Sequence, residues 1–122
     1  MKTLSSLKVL VVEDEALVSM LVEDMLTDLG CTVVGPAAEI EEALRLAGAE
    51  DIDAALLDVN LGGRPIFPVA DALRARGVPY AFASGYGEAG ISEDHRGSAV
   101  LQKPFREADL RRVLEGLVAQ TA

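Results

Sequence analysis

At 122 residues, half of them apolar, the chain has the length and hydrophobic content for one domain around a single core, and no room for a second. With 20 acidic against 11 basic residues its formal net charge is −9, a field that repels nucleic acid phosphates and favours metal cations or basic protein surfaces. A lone Cys31 excludes an intrachain disulfide, no apolar run approaches the roughly 20 residues that span a bilayer, and no export pattern opens the chain, so a reducing cytoplasmic setting is expected.

Lys8 to Val12 is a continuous aliphatic run that reads as a buried strand. Glu15 to Leu29 follows, with Leu17, Leu21, Met25 and Leu29 at four-residue spacing, which predicts a helix stopped by Gly30. Thr32 to Gly35 predicts a second strand, and Ile40, Ala43, Leu44 and Ala47 mark a second helix. Glu39, Glu41 and Glu42 sit at its start, where negative charge suits the helix dipole. Ala54 to Leu57 is a third strand, Gly62 to Pro65 a loop, and Phe67 to Arg76 a helix with Val69, Ala70 and Leu73 on one face. Tyr80 to Ala83 and Ala99 to Gln102 complete the strands. Ala108 to Val118 closes the chain with a core stripe of Leu110, Val113, Leu114 and Leu117. Between the last two strands, Gly87 to Gly97 has three glycines and little apolar periodicity, so any helix there should be short or mobile. Unbroken apolar strands alternating with amphipathic helices predict an α/β domain, a doubly wound parallel sheet covered on both faces, over residues 1–122 with its core at about 7–119.

In such sheets the working crevice lies beyond the carboxyl ends of the strands. The predicted strands end in Glu13 and Asp14, in Asp58 and Asn60, in Ser84 and Gly85, and in Lys103 and Pro104. Clustered carboxylates repel one another unless a cation compensates them, and magnesium takes a few oxygen ligands while keeping positions for water or phosphate. A carboxylate can also attack phosphorus to form an acyl phosphate if neighbouring groups neutralise the transferring oxygens, as Lys103 and the Ser84 hydroxyl could. Singly, each residue has an ordinary reading: Asp14 as a helix N-cap, Asp58 and Ser84 as turn residues, Lys103 as a solvated charge. Their joint placement at successive strand ends favours the site.

These residues sit in the runs LVVEDE, LLDVNL, ASG and QKPF, which resemble the receiver domains of two-component response regulators over nearly the whole chain. The resemblance implies a flavodoxin-like five-stranded sheet of order 2-1-3-4-5. It implies that Asp58 accepts a phosphoryl group from a histidine kinase or histidine phosphotransfer protein. Asp14, Asp58, the backbone carbonyl of Asn60 and, through water, Glu13 would hold Mg2+, with Mn2+ as a substitute. Ser84 and Lys103 would bind the phosphoryl oxygens, and the Lys103–Pro104 peptide is usually cis in this family. Most receivers carry an aromatic residue three positions before the lysine; here it is Val100. The run Phe82-Ala83-Ser84-Gly85-Tyr86-Gly87 instead looks like the signature of the FAT GUY receivers, many of them single-domain. Ser84, Tyr86 and Pro104 are therefore the expected switch residues, with Tyr86 and the glycine-rich stretch after it carrying the conformational change. The expectation is a phosphoacceptor that assists its own phosphorylation and dephosphorylation rather than a turnover enzyme. With no output domain after residue 122, the signal would leave through protein contact, a phosphorelay or a phosphate sink.

Arg106, Arg111 and Arg112 form either a basic docking patch or a solvated helical face. His95 is read as solvated, Met20 and Met25 as packing or partner-facing, and Cys31 as a small buried hydrophobe. Two competing functions fit less well. A phosphoester hydrolase of the aspartyl-phosphate type usually needs a second Asp where Asn60 stands, and a flavin or nucleotide site needs a phosphate cradle where Glu13-Asp14-Glu15 would repel one.

Overall fold

The computed structural model describes residues 4–49, 51–85, 95 and 98–120. The chain runs β1 (Lys8–Val12), α1 (Ala16–Asp28), β2 (Thr32–Ala37), α2 (Ile40–Ala49), β3 (Ala54–Asp58), β4 (Asn60–Leu61), β5 (Arg64–Pro65), α3 (Phe67–Ala75), β6 (Tyr80–Ser84), β7 (Ala99–Gln102) and α4 (Glu107–Gln120). Five strands build one parallel sheet in the order β2-β1-β3-β6-β7, which is the expected 2-1-3-4-5 arrangement once the two-residue strands are set aside. The chain steps outward from β1 to β2 and then returns past β1 to β3, so the order reverses between the carboxyl ends of β1 and β3.

Both faces of the sheet are buried, which is why its strands read as unbroken apolar runs. On one face Leu10, Val12, Ala55, Leu57, Tyr80 and Phe82 pack with residues of α2 and α3; on the other Val9, Val11, Ala54, Leu56, Ala81 and Leu101 pack with residues of α1 and α4. The closing stripe of α4 is as expected, with Leu110, Leu114 and Leu117 buried and Val113 partly so.

Several sequence expectations need correction. In α1 the buried residues are Ser19, Val22 and Leu26, while Leu17, Met20 and Leu21 are 77%, 60% and 58% exposed. In α2 it is Leu46 rather than Leu44 that is buried. β2 runs two residues past Gly35, through a cis Gly35–Pro36 peptide and a register shift between Leu10 and Val12 of β1. The stretch expected as a plain loop is a β-hairpin: Leu61 pairs with Arg64 across Gly62 and Gly63, whose φ values of +58° and +83° suit a two-residue turn of type I′. Gly30 does stop α1 in the left-handed conformation, with φ +87°.

His95 is not solvated. It is 3% exposed, its ring stacks on Phe67 with centroids 4.8 Å apart, meets Phe82 edge-on at 5.9 Å, and places Nε2 2.8 Å from Asp71 Oδ1. Two apolar rings leave no room for hydration, and the Asp71 carboxylate supplies a hydrogen-bond partner instead. Apart from His95, the expected weak helix from Gly87 to Gly97 and the expected switch residue Tyr86 lie outside the described residues.

Candidate functional site

The sheet register itself assembles the site. Asp58 ends β3 beside Ala83 of β6, and Ser84 pairs with Gln102 of β7. The Lys103 amide donates to the Ser84 carbonyl at 2.9 Å, and the Glu13 amide donates to the Ala37 carbonyl at 2.9 Å. Asp58 and Ser84 are the last residues of β3 and β6, while Glu13, Asp14 and Lys103 follow directly on β1 and β7, so all five stand at the carboxyl-end edge of the sheet.

Glu13, Asp14 and Asp58 each place a carboxylate oxygen within 4.8 Å of the others. Glu13 is 5% exposed; its Oε1 accepts from Lys103 Nζ at 2.7 Å and its Oε2 from the Glu15 amide at 3.2 Å. Lys103 Nζ also lies 3.4 Å from Asp58 Oδ1, bridging the two acids. Asp14 is exposed but held, with Oδ2 accepting from the Gly62 amide at 2.9 Å. It is therefore not the N-cap that its position before a helix allowed: Glu15 stands there, without a side-chain cap.

Burial, and next the facing Glu13 charge and its hydrogen bond, push the Asp58 carboxyl up to about 7; Lys103 pulls it down and Asp14 adds a smaller push upward. Burial opposes the charge on Lys103, but its bonds to Glu13 and Asp58 outweigh that and hold the ammonium above its ordinary value. The cluster thus carries more negative charge than one lysine neutralises, and every donor is oxygen. Those are the conditions that fit a hard divalent cation. Ser84 is buried at the end of β6, and the Lys103–Pro104 peptide is cis. Asn60 opens β4 two residues after Asp58, paired with Pro65.

Sequence reading missed two features beside the site. The Gly62 amide on Asp14 follows from a hairpin whose strands, two residues each, are too short for any periodicity to announce. The other is an apolar groove of about 330 Å³ lined by Val18, Leu21, Val22, Met25, Pro104 and Phe105, with Lys103 at its wall. Farther off, Arg106, Arg111 and Arg112 are exposed, and Arg112 pairs with Asp109 at 3.3 Å. Among the described residues no helix is long and apolar enough to cross a membrane.

Comparison with known proteins agrees with this geometry. Residues 9–115 match the model of the response regulator receiver domain. The transcriptional regulatory protein PdtaR of Mycobacterium tuberculosis is 30% identical over 117 residues, covering 93% of this chain; the chain spans 57% of PdtaR. Among solved structures, SdrG from Sphingomonas melonis Fr1 matches with a TM-score of 0.83 and 39% identity over 96% of this chain and 99% of that one. The receiver domain of the sensor histidine kinase PA1611 from Pseudomonas aeruginosa matches with a TM-score of 0.79 and 27% identity over 94% and 99%; that structure has a magnesium ion coordinated in its active site cleft.

Proposed function

The chain belongs to the response regulator receiver domain family, and from that premise we propose that it is a signalling phosphoacceptor whose Asp58 takes a phosphoryl group from a phosphohistidine protein. The observation that carries the reading is the pairing of a half-buried carboxylate with an ammonium 3.4 Å away, inside a cluster of three acids at the sheet's switch point. In the transfer an Asp58 carboxylate oxygen attacks phosphorus, the new P–O bond forms as the P–N bond to the donor imidazole breaks, and the imidazole nitrogen keeps the electron pair. Lys103 meets one phosphoryl oxygen and the Ser84 hydroxyl donates to another. Glu13, Asp14, Asp58 and the Asn60 carbonyl would hold a divalent cation, magnesium with manganese as an alternative; when bound, it supplies positive charge against the acids and the incoming phosphoryl oxygens. On this reading the protein assists its own phosphorylation and dephosphorylation and turns over no free substrate.

The apolar groove supports a protein donor. It opens beside Lys103, and next to it α1 displays Leu17, Met20 and Leu21, large side chains that water does not favour. The donor is then a histidine kinase or phosphotransfer protein seated on α1 and the turn after β7. Phosphoramidate, a small donor with the same P–N bond, tests the chemistry alone. With Mg2+ it should label the wild-type protein with a phosphate that alkali and hydroxylamine both release, and an Asp58→Asn variant should stay unlabelled. Equal labelling of the two proteins would overturn the proposal.

A further inference from the structure

The hairpin that follows the acceptor strand does more than connect it to α3. Its turn residue Gly62 donates its amide to Asp14 Oδ2 at 2.9 Å, across 48 residues of sequence. Its first strand carries Asn60, paired in register with Pro65, so the backbone there is fixed rather than free. Its second strand carries Arg64, whose Nη1 reaches Glu41 Oε2 of α2 at 2.6 Å and ties the ribbon to the body of the domain. At the base, the Ile66 amide donates to the Val59 carbonyl at 3.1 Å. Asp14 is otherwise an exposed side chain on a loop, with rotamer freedom that binding would have to remove.

We infer that the β4–β5 hairpin is a positioning clip for the cation site, with the Gly62 amide pre-orienting Asp14 and the strand pairing pre-orienting the backbone of Asn60. This rests on the proposed cation site and adds which residues of this chain set its affinity. Asp14 Oδ2 accepts from the amide, which fixes the orientation of the whole carboxylate. A backbone donor is well suited to the task, since it does not compete as a charge and cannot rotate away while the turn persists.

The turn makes the inference testable without touching a ligand. A Cβ at Gly62 meets nothing within 4 Å, so only its φ of +58° is at stake. Asparagine accepts that conformation and Asn-Gly is a favoured type I′ pair, whereas a β-branched valine resists it. Mg2+ alone is titrated into wild type, Gly62→Asn and Gly62→Val, following backbone amide shifts, with the sheet amides reporting an intact fold. Gly62→Val should weaken Mg2+ about tenfold and move the residue 62 amide proton upfield. Gly62→Asn should stay within about twofold of wild type and keep that proton downfield, where a charge-assisted bond places it. Equal affinity in the valine variant overturns the clip while leaving the cation site standing. Failure of the wild type to respond to Mg2+ overturns both.

Discussion

Asp58 concentrates the physics of the site in one carboxyl. Burial and two facing acids hold it at about 7 in the metal-free protein against an ordinary 3.8, so between those values the folded protein keeps a proton that the unfolded chain has released. The stability this proton contributes is present in full below about pH 4 and is lost as pH rises through about 7. Without a divalent cation, the wild-type protein should therefore lose stability across that window, and Asp58→Asn should lose much less. At pH 8 the variant should be the more stable by about 1–3 kcal/mol in urea unfolding. An Asp58→Asn variant no more stable than wild type at pH 8 would contradict the electrostatic picture. The site residues themselves were legible in the sequence because each stands one or two positions past an apolar run, at the carboxyl ends of β1, β3, β6 and β7. Asp14 was legible as a site residue but not in its bonding, since its partner is a backbone amide in a turn.

At the scale of elements, what could be read depended on whether periodicity had one solution. The strands and α4 had one, because buried strands and a single leucine stripe leave no second packing. α1 had two: Leu17, Leu21, Met25 and Leu29 recur every four residues and drift around the helix, while Val22 and Leu26, with Ser19, form the face that meets the sheet. Apolar residues on both sides hide which side is inside. The hairpin was hidden for the opposite reason, its strands being too short for any pattern. His95 was misread because its partners come from other elements, Phe67 and Asp71 on α3 and Phe82 on β6. Removing the ring should expose the edge of Phe82 and unpair Asp71. His95→Ala should cost about 1–3 kcal/mol, read as a lower urea midpoint, and an unchanged midpoint would show that neither the ring packing nor the Asp71 bond contributes.

Taken whole, the molecule carries a net charge of −9 and a cluster of three acids at the sheet edge, and leaves on α1 an apolar face beside that cluster. On the proposed function the two features divide the labour, the site doing the chemistry and α1 receiving the donor. Replacing Leu17 and Leu21 by serine should therefore slow phosphoryl transfer from a phosphohistidine protein about tenfold while leaving transfer from phosphoramidate unchanged. Equal slowing of both would place the effect on the site rather than on docking. The claim on which all of this depends is that phosphorus becomes covalently bound to one carboxylate at the end of β3. Borohydride reduces an acyl phosphate of aspartate to homoserine, so peptide sequencing after phosphorylation with Mg2+ and then reduction reads the acceptor directly. Homoserine at position 58 is the predicted result; intact aspartate at 58, or homoserine at 14 or another aspartate, would contradict it.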